Sequence, residues 1–197
     1  MSLSIYVARD EAPVTLAEAK GFARIDISED DTLVENLITA ATTKAEDFNG
    51  RVFITSTWRL RLDAFPSDNG GLIELLPPVQ TIKNITYIDT NGDSQTLAAD
   101  QYTLDIYQEP GRLVPSYGNS WPATRDVMNA VTVEFVVGYG AAADVPEPKR
   151  LAILQTVVFW YERRATILTG TTMAKLPASA EALLWPDRIT GWSGRYV

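Results

Sequence analysis

Apolar residues recur at two different periods along this chain, and the change of period divides it. Near the start, Leu16, Ala19, Phe22 and Ala23 fall on one face of a helix spanning about 14–25. Thr15 and Glu18 have the spacing of a capping box, in which each side chain satisfies an exposed backbone N–H of the other. Gly21 weakens this helix, and Ile25-Asp26-Ile27 leads out of it. A longer helical pattern runs from about Asp30 to Asn49 on Leu33, Leu37, Ile38, Ala41, Ala45 and Phe48. Ser28 or Asp30 can cap it, Glu29, Asp30 and Asp31 suit its positive end, and Gly50 suits a left-handed stop. The short connection predicts an antiparallel helix pair.

From Arg51 to about Gly140 the period falls to two. Trp58, Leu60, Leu62 and Ala64 alternate with Arg59, Arg61 and Asp63, the mark of a half-buried strand. Further short strands are predicted over 72–75, 82–88, 95–97, 102–106, 112–114 and 131–137. Turns at Asp89-Thr90-Asn91-Gly92-Asp93 and Glu109-Pro110-Gly111 punctuate them. Pro146 then opens a third helix reaching about Arg164, lined by Leu151, Leu154, Val157, Val158 and Tyr161. After Thr169 no long periodic segment follows.

The predicted fold is therefore α+β. A small helical bundle of three main helices carries an antiparallel, sheet-like or barrel-like β insertion between its second and third helices. An extended C-terminal tail completes the chain. The expected divisions are 1–51 for the N-terminal helical part, 52–142 for the β block, 143–169 for the third helix and 170–197 for the tail. No internal repeat or low-complexity segment interrupts this order.

Charge sharpens the picture. The net charge is -8. The first fifty residues are strongly acidic, whereas 146–197 carry seven bases against four acids. An acidic body argues against wrapping nucleic acid, which requires clustered Lys and Arg. A basic end on such a body suggests contact with a different surface. The acids Glu29, Asp30 and Asp31 and the bases Arg150, Arg163 and Arg164 are candidate complementary faces between subunits. The tail holds Leu183, Leu184, Trp185, Pro186, Arg188 and Trp192, too apolar and aromatic for a freely solvated segment; they either fold back on the chain's own core or are candidate anchors in a partner.

The chemistry available is narrow. The chain has no Cys and no His, so thiolate metal sites, cysteine nucleophiles and the commonest general base are missing. Glu29-Asp30-Asp31 lacks the alternating ligand spacing of a calcium loop. Asp89, Asn91 and Asp93 do alternate, but a hairpin turn accounts for them. Gly138-Tyr139-Gly140 is not followed by a phosphate-cradling Lys-Ser or Lys-Thr. No catalytic residue, metal site or cofactor is predicted. No apolar run approaches the ~20 residues that span a bilayer, and Met1-Ser2-Leu3-Ser4 lacks the features of a signal peptide. No membrane partner is expected. Trp58, Tyr87, Tyr102 and Trp121 could form a carbohydrate platform, though aromatics at strand positions are usually core.

Several local motifs, in their order, resemble the head–tail connector (adaptor) family of long-tailed phages and phage-like gene transfer agents. They include Val14-Thr15-Leu16-Ala17-Glu18-Ala19-Lys20, Leu37-Ile38-Thr39-Ala40-Ala41, Gly50-Arg51, Leu62-Asp63-Ala64-Phe65-Pro66 and Leu76-Pro77-Pro78-Val79. Ser120-Trp121-Pro122, Val137-Gly138-Tyr139-Gly140 and Trp160-Tyr161-Glu162-Arg163-Arg164 complete the set. The resemblance runs to about Arg164, and the tail matches least. It implies a structural, non-enzymatic ring subunit, usually one of twelve, in the neck of a particle assembled in the host cytoplasm. Its implied partners are the portal protein, which the C-terminal segment reaches, a tail-side neck or tail-terminator protein, and copies of itself. DNA is in contact only during passage through the lumen. The alternatives are a tail-completion or tail-terminator ring protein and, from a different class, a carbohydrate-binding module.

Overall fold

The computed structural model of this chain describes residues 1–163 and 175–190. These form two compact units. The helical unit comprises Asp10–Ile54 and the described part of Tyr139–Arg188, and the β unit comprises Met1–Arg9, Thr55–Gly138 and the described part of Ile189–Val197.

The helical unit has four α-helices among the described residues: α1 (Leu16–Ala23), α2 (Asp31–Asn49), α3 (Glu147–Glu162) and α4 (Ala178–Leu184). The capping box forms as its spacing predicts. Thr15 Oγ1 accepts the Glu18 N–H at 3.2 Å, and Glu18 Oε2 accepts the Thr15 N–H at 2.7 Å. Helix α2 stops at Gly50, whose φ of 78° is the left-handed conformation glycine adopts without a Cβ penalty. The core is shared by Val34, Leu37 and Ile38 of α2, Ile153, Val157 and Trp160 of α3, and Leu184 of α4. Ala41, Ala45, Ala152 and Ala180 are fully buried between them, so small side chains let the helices approach closely.

Helix α4 corrects the expectation of three helices and a tail extended from residue 170. Ala178-Ser-Ala-Glu-Ala-Leu-Leu184 is rich in strong helix formers, but seven residues are too few to display a period. Pro177, a helix breaker on sequence grounds, stands at the N-cap, and Pro is tolerated at the start of a helix, where no intrahelical N–H is lost.

The β unit contains β1 (Ser2–Val7), β2 (Ser56–Leu62), β3 (Ile73–Leu75), β4 (Val79–Ile88), β5 (Ser94–Thr96), β6 (Tyr102–Asp105), β7 (Gly111–Pro115) and β8 (Val131–Val137). They make two antiparallel sheets, β1-β2-β8-β4-β5 and β3-β7-β6. The central strand β8 alternates cleanly. Val131, Val133, Phe135 and Val137 are wholly buried, while Thr132, Glu134 and Val136 between them are half-buried. One row of side chains, Leu3, Leu60, Val133 and Ile85, crosses four strands on the core face. On the opposite face Arg59 pairs with Glu134 at 2.5 Å, and its guanidinium lies 3.8 Å from the Tyr6 ring centroid.

Two further corrections arise here. No barrel closes, because β1 and the three-residue β5 stand at opposite edges of the larger sheet and do not pair with each other. The division at 1–51 places residues 2–7 with the N-terminal helical part, yet they form an edge strand. Leu3, Ile5 and Val7 alternate with Ser2, Ser4 and Tyr6, a period-two signal confined to a single short segment.

Candidate interaction surfaces

Of the six charged residues singled out by sequence, Asp30, Asp31 and Arg150 are engaged within the subunit. Asp31 pairs with Lys20 at 2.5 Å, and Lys20 also donates to the Ile27 carbonyl at 2.8 Å. The Tyr161 hydroxyl donates to Asp30 at 2.5 Å, tying α3 to the start of α2. Arg150 pairs with Glu18 and, at 3.2 Å, with Glu147, and it donates to the Pro13 carbonyl at 3.1 Å. The Thr15 backbone hydrogen bond outweighs the opposing effect of burial and, with Arg150, holds the Glu18 carboxyl below its ordinary value. Glu29 and Arg163 are exposed, and Arg163 lies over the Phe159 ring at 4.1 Å. Arg164 lies outside the described residues.

The expected anchors divide in the same way. Leu184 is fully buried in the helical core, and Leu183 packs against that core. Trp185, by contrast, is 63% exposed, and Pro186 beside it is exposed. Trp185 is not loose. Its ring centroid lies 6.2 Å from that of Phe48, and Arg188 covers both rings at 4.4 Å and 5.4 Å. Arg188 Nε donates to the Phe48 carbonyl at 2.8 Å, satisfying a C=O near the end of α2. Trp192 lies outside the described residues.

Sequence reasoning missed the group that holds this corner. Lys149 and Arg51 are nearly buried, with side chains only 4% and 9% exposed, and both face Asp187. Lys149 makes a direct ion pair, and Arg51 Nε stands 3.7 Å away. Asn49 is fully buried, and its Nδ2 donates to Asp187 at 3.0 Å and to the Leu184 carbonyl at 2.9 Å. Burial alone would raise the Asp187 pKa. The hydrogen bonds from Lys149 and Asn49 and the charges of Lys149 and Arg51 outweigh it, so the carboxyl sits below its ordinary value. The available signal was Lys149 itself, a charge near the start of a strongly apolar helix.

The β unit uses its polar and aromatic groups in the same inward manner. Asp89 Oδ1 accepts N–H groups of Asn91, Gly92 and Asp93 at 2.9–3.0 Å, and Gln95 donates to Oδ2 at 2.9 Å. Gln95 and these turn donors hold the Asp89 carboxyl below its usual range, and its oxygens are occupied by its own turn. Among the described residues no cluster of three or more acidic side chains is placed to hold a metal ion. Trp121 stacks on Phe65 at 4.8 Å and donates to the Gly71 carbonyl at 2.7 Å. Gly71 has φ +77°, and a Cβ there would come within 2.6 Å of Trp121 Nε1. Tyr87 meets Phe65 edge-on at 5.8 Å, and Trp58 donates to Ser56 at 3.0 Å. Trp121 and Tyr87 thus share Phe65 as a packing partner, while Trp58 is held by a hydrogen bond.

Several large apolar side chains are also exposed, scattered among exposed charged residues. Tyr107 and Tyr117 project fully from loops, Met128 is 84% exposed, and Ile5, Tyr6 and Val7 are about half-exposed along β1.

Residues 13–95 match the family described as phage gp6-like head-tail connector protein. That stretch runs from the α1 cap through β5 and joins parts of both units. Solved structures extend the likeness to the full length. A chain from the neck of an empty gene transfer agent particle, computed with C6 symmetry, superposes with a TM-score of 0.79 at 22% identity, covering 100% of both chains. A chain from the virion of the native particle gives 0.78 at 22% identity, again with complete coverage. A third, from the native neck computed with C12 symmetry, gives 0.73 at 21% identity over 100% of both chains. At these identities the likeness is one of fold. No curated protein matches the chain.

Proposed function

We propose that this chain is a structural head-to-tail adaptor of a phage or phage-like particle. Its copies form a ring, twelvefold by this reading, between portal and tail. The observation that carries the reading is the full-length fold match to neck chains, together with the connector-family match over 13–95. The absence of Cys and His accords with a structural role.

In this reading the Trp185–Pro186 corner is the portal-facing contact, with Arg188 and Phe48 bracing it. The anchor is thus a rigid knob on the helical unit. Holding Trp185 in place beforehand lowers the entropy lost on binding. Glu29 and Arg163 are the charges left to face neighbouring copies, a tail-side protein docks beneath the ring, and DNA passes through the lumen. Assembly takes place in the host cytoplasm.

The test is complementation. Particles assembled without this chain are expected to accumulate as separate heads and tails, and purified chain should restore joining. Joining that proceeds normally in its absence would defeat the proposal.

A further inference from the structure

The β unit leaves one edge strand, β1, without charge or proline of its own. Edge strands of soluble proteins are normally blunted by charge, proline, shortness or a cover, because their free N–H and C=O groups pair readily with another strand. Strand β1, Ser2-Leu3-Ser4-Ile5-Tyr6-Val7, carries neither charge nor proline over six residues, and its one irregularity is a bulge between Ile5 and Val7. It forms one margin of the five-stranded sheet.

Its second half is also about half-exposed, at Ile5, Tyr6 and Val7. The row Ile82, Phe135, Trp58 and Ile5 crosses the sheet on the same face as the buried Leu60 and Val133. Phe135 is fully buried at the centre, Trp58 is half-buried, and Ile5 is 57% exposed. Val7 pairs with Thr57 across a bulge and so lies on the other face, 50% exposed. The apolar face therefore continues past the last strand and stops in the open.

The opposite margin is incomplete in a matching way. Strand β5 covers β4 only at Thr86–Ile88. Val79–Asn84 has no described strand on its outer side, and Gln80, Thr81 and Lys83 there are exposed. Because each neighbouring pair from β1 to β4 is antiparallel, β4 runs opposite to β1. A copy that continued the sheet would set its β4 antiparallel to β1, the favourable hairpin-like geometry.

We propose that β1 of one copy adds to the uncovered half of β4 in the next, extending the sheet from subunit to subunit. This deepens the adaptor reading and rests on it for the ring. The joint uses two different surfaces of one chain, so it is heterologous and repeats around a closed ring. Six residues at ~3.4 Å each give a joint only about 20 Å long. One added strand is small beside the roughly 800 Å² per partner of a stable interface. The contact is therefore weak between two free copies and cooperative in a ring.

The natural absence of cysteine makes the test clean. Ile5→Cys and Lys83→Cys are introduced singly and together into the full chain, which is incorporated into particles and treated with a short bismaleimide. The double variant should give a ladder of dimers, trimers and higher species on denaturing gels, whereas either single variant should give no ladder. Incorporation without a ladder overturns the edge contact and leaves the adaptor reading standing. A cross-link from the introduced thiol at position 5 to a portal or tail protein likewise overturns it in favour of that partner. The same treatment of the isolated chain at high concentration separates the remaining cases. A ladder there, with no incorporation into particles, supports the edge contact and overturns the adaptor reading; neither result overturns both. In a chain without the cysteines, Ile5→Lys with Val7→Lys should abolish ring closure while leaving thermal unfolding unchanged, since both side chains are exposed. Rings that close normally with both lysines present would also refute the contact.

Discussion

The β unit and the helical unit treat charge in opposite ways. In the β unit the buried side chains are apolar apart from Ser56 and Thr57, and the Arg59–Glu134 pair stands on the far face of the sheet. In the helical unit Lys149, Arg51 and Asn49 are buried among the helices and converge on Asp187. Nearly buried cations without a carboxylate would be strongly destabilising. Asp187 thus gives α4 and the Trp185 corner a defined seat, whereas hydrophobic burial alone holds a helix without fixing its register. The contrast separates a unit specified by local alternation from one specified partly by a charge match between residues far apart in the chain.

The largest effects should come from apolar deletion in either unit. Phe135→Ala should cost about 3–5 kcal/mol and Leu184→Ala about 2–5 kcal/mol by chemical denaturation, since both sites are closed. A near-neutral Leu184→Ala would mean that α4 is not core and would break the comparison at once. Next comes Asp187→Asn. It leaves Lys149 and Arg51 uncompensated and should cost about 2 kcal/mol. That is below the figure for a wholly buried pair, because the Asp187 side chain is 43% exposed. Its pH dependence sharpens the point. The folded pKa of Asp187 is lowered from 3.8, so its stabilisation is present above that pH and disappears as pH falls through the folded value. The gap between wild type and Asp187→Asn should therefore be full at neutral pH and narrow in acid below 3.8. A gap that held constant into strong acid would exclude the charge match. The smallest effect belongs to the β unit's own ion pair. Arg59→Ala should cost about 1 kcal/mol, since the side chains of the pair are only partly exposed at 23% and 19%, and a loss as large as that of Asp187→Asn would erase the distinction between the units.

How much of this was legible in the sequence follows from the same contrast. The capping box, the Gly50 stop and the alternation of Val131–Val137 are local, and each element stands within a few residues of its expected position. The Asp89 turn was equally readable, because its hydrogen bonds close within six residues. Helix α4 was not readable: its evidence lies in Asn49, Arg51 and Lys149, far away in the chain. Strand β1 was missed because an edge strand without a buried face gives only a faint alternation. Among the candidate surface residues, Asp30, Asp31 and Arg150 looked available as a list of charges. Only their folded partners, Tyr161, Lys20 and Glu18, show them engaged within the subunit.

The central claim is that this chain occupies a ring between head and tail. Electron microscopy of intact particles, with the chain located in the density, tests it most directly. The account predicts one closed ring of copies in the neck, with the Trp185 corner against the portal and DNA in the lumen. Density for the chain in the capsid shell, at the distal tail tip or absent from the particle altogether would contradict it.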